Sequence, residues 1–320
     1  MFAFLPSRLK IFVTGFLMAV NLLLWTSLMV PVVIVKLVLP LPASRRWCSR
    51  ILASLAEFWI DGNEWIWRLL LQIEWEVHDV SGKPFEPRLD KSYLVIANHQ
   101  SWVDILVLQH TFHRQIPFFR FFLKKSLLYV PVLGAAWWAL DYPFMSRHSK
   151  EFLRKHPERR NDDFLATRKA CEKFKTQPVS ILNFVEGTRF SPLKRDQQGS
   201  NYKNLLTPKA GGISFVLQTM GEQFEKILDV TIFYPQGSVT FGELLAGKLS
   251  RVVVKIRALD VPKGLLAGAT KGSASGAAAE SAAAAVEDVR QKPAEWMREL
   301  WQEKDLLLDQ MKLSPGKIPS

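Results

Sequence analysis

Two side chains of types that move protons stand close together in the stretch Asn98-His99-Gln100-Ser101-Trp102-Val103-Asp104: a histidine and, five positions on, an aspartate. Before them runs Tyr93-Leu94-Val95-Ile96-Ala97, apolar and of the length of a buried strand. After them Ile105-Leu106-Val107-Leu108 begins a helix. A strand-to-helix turn places the imidazole and the carboxylate at one end of a sheet. There His99 can act as a general base on a hydroxyl at cellular pH, and Asp104 can set its tautomer and stabilise the imidazolium. Ser101 suits a helix cap better than a nucleophile. The pattern therefore favours direct attack by a substrate hydroxyl over a covalent enzyme intermediate. Taken alone, His-x4-Asp also describes a structural histidine beside a helix N-terminal acid.

A second group follows another apolar run: residues 179–185 lead straight into Glu186-Gly187-Thr188-Arg189. If the sheet is parallel, this turn opens at the same edge as the first, where ligands sit in open α/β sheets. Gly187 permits close backbone approach. Arg189 offers a planar, two-pronged donor to a phosphate, and Glu186 could orient that arginine or bind a hydroxyl. A solvated arginine at a strand end is the plainer alternative. Arg147, closing Phe144-Met145-Ser146-Arg147, is a further candidate phosphate ligand. Lys124 and Lys125 would add positive potential or reach toward lipid headgroups. His110-Thr111-Phe112-His113 has metal-like spacing, but with no cysteine or acidic cluster beside it the pair reads as surface histidines, and no metal site is expected.

The elements that must position these groups follow from the hydropathy pattern. Residues 11–35 are uncharged and apolar except for Thr14, Asn21, Thr26 and Ser27, which suits a bilayer crossing. A cleaved signal peptide is the alternative, but the run is long for one and no small-x-small cleavage site follows. Basic residues flank it on both sides, so the positive-inside rule leaves a full crossing and a re-entrant helix both open. Residues 51–71 are apolar at near-helical spacing but interrupted by Glu57, Asp61, Glu64 and Arg68; this predicts an amphipathic helix, with Trp59, Trp65 and Trp67 at headgroup level. An ordinary core helix would show the same spacing. From residue 72 strands and helices alternate: strands at 72–77, 91–97, 179–185, 229–234 and 252–256, helices from 105, over 161–176 and over 211–220, and a polar loop at 196–204. The alternation predicts an α/β sandwich, with a mostly parallel sheet flanked by helices. Residues 265–285 are rich in Ala, Gly and Ser; the first half reads as a flexible linker and the Ala run near 277–285 can start a helix, with 286–311 a peripheral helix that Pro293 kinks or restarts.

The chain has 320 residues, 48% of them hydrophobic, 11 tryptophans and a formal charge of +12, enough for a sizeable core and an affinity for anions. Its Lys and Arg residues are scattered without a nucleic-acid motif, so the charge points to anionic lipid or substrate and not to nucleic acid. Cys48 and Cys171, far apart, suggest no disulfide framework and a reducing, cytoplasm-facing location.

Taken together, Asn-His-x4-Asp, Phe-x-x-Arg, Phe-x-Glu-Gly-Thr-Arg and a Val-Thr-Ile strand ending at Pro235, in that order, resemble the glycerophospholipid acyltransferase family, which includes bacterial 1-acylglycerol-3-phosphate acyltransferases. The resemblance covers about residues 70–260. It implies that His99 is the base and Asp104 its orienter. Glu186, Gly187, Thr188, Arg189 and Arg147 would bind glycerol phosphate. The donor would be an acyl thioester, acyl-CoA or acyl carrier protein, with no cofactor, and the acceptor a lysophospholipid in the bilayer. It further implies a bacterial inner (cytoplasmic) membrane location with the site near the cytoplasm. Three departures stand out: Val185 where the family usually has proline, Asp141 where it has glycine, and Asp229 where it has proline. Asp229-Val230-Thr231-Ile232 with Tyr234-Pro235, and Pro208-Lys209-Ala210-Gly211-Gly212, look like the lysocardiolipin acyltransferase branch. The expected organisation is membrane-anchoring helices over 1–72, an α/β acyltransferase domain over 73–262, and a linker with a C-terminal helix over 263–320.

Overall fold

The computed structural model describes residues 6–39, 41–145, 154, 171, 172, 174, 177–266 and 279–313. Helices α1 (Ser7–Val38) and α2 (Pro42–Leu70) pack side by side. α1 is the one helix among the described residues long and apolar enough to cross a membrane. At 1.5 Å per residue it reaches about 48 Å, against ~30 Å for a hydrocarbon core. Only 6% of its most apolar stretch is buried, unlike the core helix of a soluble domain. Phe12, Phe16, Leu23, Leu24 and Ile34 face outward. Its polar residues turn inward or onto the helix itself: Asn21 donates to the Trp59 carbonyl at 2.9 Å and to the Asn63 side chain at 3.1 Å, and Thr26 and Ser27 bond carbonyls one turn back. Opposite Asn21 lies Gly62, where an added Cβ would overlap the amide, so the small residue lets the two helices close up. At the far end Lys36 donates to the Ala139 carbonyl (3.1 Å) and pairs with Asp141 (2.5 Å). Asp141 has a φ of 60°, where glycine is favoured. Its carboxylate holds Lys36 and Ser49, which fixes the residue in place. Docking of this kind suits a retained anchor; a cleaved signal has no need of it.

The acids that interrupt α2 face the α/β layer. Asp61 meets His113 and Arg114, each at 2.6 Å, and Glu64 meets His110 at 3.1 Å. The two histidines thus serve to dock the helix after β2 onto α2. Of the three tryptophans expected at headgroup level, Trp65 is exposed, but Trp67 is buried and stacked on Trp75.

The main sheet comprises β1 (Glu74–Asp79), β2 (Ser92–Ala97), β3 (Phe119–Arg120), β6 (Ser180–Phe184), β7 (Phe224–Phe233) and β8 (Arg251–Leu259), in the order β1-β8-β7-β2-β6-β3. Every neighbouring pair is parallel except β7 with β8. β4 (Leu123–Lys124) and β5 (Phe144–Met145) form a separate two-stranded ladder, with α4 (Leu133–Ala139) between them. Central β2 is buried on both faces, which is why it reads as an unbroken apolar run. Tyr93, Val95 and Ala97 pack with α3 (Val103–Phe112) and α2 on one side. Leu94 and Ile96 pack with α6 (Ala210–Met220) and α7 (Ala279–Leu313) on the other.

Two expectations are corrected. Part of the stretch read as a loop forms α5 (Pro192–Gln198), because Ser191 caps it by accepting the Lys194 N–H at 3.3 Å, Pro192 fits the first turn and Gly199 closes it at φ 57°. The C-terminal helix is not peripheral: Met297, Trp301 and Leu308 belong to the second core, and Trp301 and Lys304 are almost fully buried. Most of the helix expected at 161–176 falls outside the described residues.

Candidate active site

Parallel pairing of β2 with β6, with Ala97 opposite Phe184, brings the two strand-end turns to one edge of the sheet. They are clasped by backbone: His99 N–H donates to Glu186 Oε1 at 2.8 Å, and Phe190 N–H donates to the His99 carbonyl at 2.7 Å.

His99 Nδ1 lies 2.8 Å from Asp104 Oδ2. Facing a carboxylate, Nδ1 carries the hydrogen, which leaves Nε2 as the basic nitrogen. The imidazole is stacked on Phe184, with ring centroids 4.1 Å apart. Asp104 is fully buried and held from several directions: Oδ2 also accepts the N–H groups of Gln100 (2.5 Å) and Ser101 (2.8 Å), and Oδ1 accepts the Tyr234 hydroxyl (2.6 Å). Ser101 accepts the Val103 N–H and donates to the Val239 carbonyl, so it builds the helix entry as expected. Burial, with the Asp104 charge and hydrogen bond behind it, pushes the Tyr234 hydroxyl well above its usual range, so it stays a proton donor to the carboxylate. Asn98, also fully buried, bonds both the N–H (2.8 Å) and the carbonyl (2.9 Å) of Ile232 and ties the turn to β7.

Glu186 does not reach the surface. It is fully buried, and its second oxygen accepts the Leu206 N–H at 2.8 Å. Burial raises its carboxyl to about 8, against the two backbone N–H groups, which lower it. The residue expected to bind a phosphate or hydroxyl is instead a strut between three loops. Gly187 is exposed at φ 68°, and an added Cβ would sit 3.2 Å from the Lys209 side chain. Thr188 accepts Lys194 Nζ at 2.9 Å. Arg189 is exposed, its guanidinium over the Trp102 ring at 5.3 Å, with no ion pair to any described residue. Arg147 lies outside the described residues. Lys124 and Lys125 are exposed, on and just after β4 of the separate two-stranded ladder. Among the described residues no group of three His, Cys, Asp or Glu could hold a metal.

Sequence reasoning passed over three contributors. Tyr234 stands in the sequence pattern only as part of a strand ending, Lys194 falls in the unassigned stretch between Arg189 and the expected loop at 196–204, and Lys209 stands only within a glycine-bearing run. Lys209 stands at the N-terminus of α6. A lysine before an exposed Gly-Gly helix start is the signal that could have marked it, since such termini favour anions. The arrangement can hold a base at a set tautomer beside a rim of exposed cations.

Residues 77–235 match the family model described as Acyltransferase. This region is an acyltransferase domain of the kind found in glycerophospholipid acyltransferases. Among curated relatives, an uncharacterized acyltransferase of Schizosaccharomyces pombe is 36% identical over 33% of this chain and 34% of its own length. A 2-acyl-1-lysophosphatidylinositol acyltransferase of Saccharomyces cerevisiae is 25% identical over 72% of this chain and 64% of its own length. A 1-acyl-sn-glycerol-3-phosphate acyltransferase of Arabidopsis thaliana is 29% identical over 53% and 45% respectively. The chain thus spans between about a third and two thirds of the length of these relatives. A solved 1-acyl-sn-glycerophosphate acyltransferase of Thermotoga maritima aligns over 91% of this chain and 96% of its own, with 17% identity and a TM-score of 0.47. These three curated relatives come from yeasts and a plant, and lend no support to the expected bacterial membrane.

Proposed function

We propose that this protein transfers a fatty acyl chain from a thioester, acyl-CoA or acyl carrier protein, to the sn-2 hydroxyl of 1-acyl-sn-glycerol-3-phosphate, giving phosphatidic acid. The observation that carries the reading is the His99–Asp104 pair, set beside Arg189 and Lys209 on a chain anchored by α1. His99 Nε2 takes the proton of the acceptor hydroxyl as its oxygen attacks the thioester carbonyl. The tetrahedral adduct then collapses, the carbon–sulfur bond breaks, and the thiolate leaves with the proton that His99 returns. Asp104, held by Tyr234 and two backbone N–H groups, stabilises the imidazolium between those steps. Arg189 and Lys209 meet the acceptor phosphate, with Arg147 as a further ligand. No resident cofactor or metal enters this chemistry.

The acyl chains would enter from lipid. An apolar cluster joins Met29 of α1, Leu52 and Ala56 of α2, and Leu123, Leu140 and Tyr142, with Phe118, Phe121 and Trp137 against it, so the anchor packs onto the α/β layer through one apolar core. The site would lie at the cytoplasmic face of the membrane. A larger headgroup is a second reading, favoured by the long match to the lysophosphatidylinositol enzyme. Mass spectrometry of the products formed by purified protein from mixed lysophospholipids and labelled acyl-CoA tests both. Phosphatidic acid as the main product supports the first reading, and another diacyl phospholipid the second. No acyl transfer to any acceptor, from either acyl-CoA or acyl carrier protein, would overturn both.

A further inference from the structure

On the face of the sheet away from α3 lies a buried charge cluster for which the proposed chemistry has no use. Lys304, from α7 and outside the family-matched region, is fully enclosed. Its ammonium lies 2.6 Å from Asp229 Oδ1 and donates to the Val230 carbonyl (2.6 Å) and the Thr231 hydroxyl (3.1 Å). Asp229 also takes Arg257 at 3.0 Å, and Arg257 in turn pairs with Glu303 of α7. A lysine is not buried without such partners, because its charge would be too costly. Asp229 is one of the three departures from the family pattern, and its carboxylate is what the buried lysine requires.

The cluster abuts the catalytic turns. Asp229 pairs with Ile96 in the sheet, three residues before His99. Two residues past Val230, Ile232 holds Asn98 on both sides and accepts Gln100. One turn before Lys304, Trp301 Nε1 donates to the Leu206 carbonyl at 3.1 Å, and the Leu206 N–H is the second donor to Glu186. One residue after Lys304, Asp305 accepts the N–H groups of Lys203 (2.9 Å) and Asn204 (2.8 Å) in the segment leading to Lys209. The ammonium also favours the ionised form of Glu186.

We infer that Lys304, through Asp229 and the end of β7, is a positioning residue for the His99 turn, so that the C-terminal helix, lying outside the region matched to the family, sets the geometry of the base. This rests on the proposed function for its kinetic readout and on the structure alone for a second one. A displacement of the base by about 1 Å can cost on the order of 100-fold in rate. In the full-length protein, Lys304→Met is expected to lower kcat at least ~10-fold with the acceptor KM unchanged, and Lys304→Arg to recover most of it. The paired variant Asp229→Val/Lys304→Met removes both charges and so keeps the fold where the single one does not; it is expected to show the same kcat loss. Hydrogen exchange read by mass spectrometry on the peptide containing His99 should speed up ~10-fold in either Met variant. It should not change in Lys226→Met, which breaks only an exposed pair with Asp260.

A folded paired variant with wild-type kcat and unchanged exchange at His99 would overturn the inference, because Lys304 would then be filler. If the wild-type protein transfers no acyl chain while the exchange effect is present, the proposed function fails and the positioning role stands.

Discussion

At the His99 turn Asn98 and Asp104 are fully buried and bonded on more than one side, whereas at the facing turn Gly187 and Arg189 are exposed and the cations ride on long side chains. Glu186, buried beneath the facing turn, reaches across to the His99 N–H, and the Phe190 N–H returns a bond to the His99 carbonyl. The contrast follows from what the two sides must do. A base works through an orientation set to a fraction of an ångström, which calls for a carboxylate held through both oxygens. A phosphate on a lipid arrives with freedom of its own, and flexible cations at a water-facing rim can follow it.

The contrast can be broken or sharpened by substitution. The largest effect is expected from His99→Ala: a loss in kcat of about 10²–10⁴-fold, with membrane association intact, measured by radiolabelled acyl transfer and by flotation with vesicles. Wild-type-like turnover in that variant would end the assignment of a base. A smaller effect, of the other kind, is expected from Arg189→Lys, where a point charge replaces a fork: the acceptor KM should rise about 3–10-fold while kcat stays within twofold. A fall in kcat at unchanged KM would erase the distinction between the two turns.

The smallest effect concerns Glu186. Burial raises its carboxyl from 4.5 to about 8, so the folded chain holds a proton there that the unfolded chain has released. The stability gained from it is complete below about pH 4.5 and is lost as the pH rises toward 8. The melting temperature should therefore drop over this window more steeply in wild type than in Glu186→Gln, by a few degrees in calorimetry. Parallel curves for the two proteins would mean that the strut does not titrate there.

Much of this was legible in the residues. β2 announces itself as an apolar run between polar breaks, and the entry to α3 as Ser101-x-x-Asp104, because strand burial and helix capping act between near neighbours. The pairing of His99 with Asp104 follows from the same local turn. The last residues of α5 read as loop because polarity outweighs the Ser191-Pro192 start that nucleates the helix. Trp67 was misplaced because a stripe of tryptophans looks alike against lipid and against a core.

Other features had no local signal. Tyr234 meets Asp104 across 130 positions, Asn98 meets Ile232 across 134, and Lys304 meets Val230 across 74. Such contacts depend on which strands lie side by side and in what register, and many pairings would satisfy the same apolar pattern. The local pattern thus determined that a histidine and an acid share a strand-to-helix turn and that a Gly-Thr-Arg turn follows another strand. The assembled sheet decided that the two turns meet edge to edge, that Glu186 lies under them as a strut, and that the last helix closes over the buried end of β7. Hydrogen bonds made between neighbours in sequence can be read from side-chain type and spacing. Those that close only when distant strands and helices pack, where a buried charge must find its one partner, exist only in the tertiary structure.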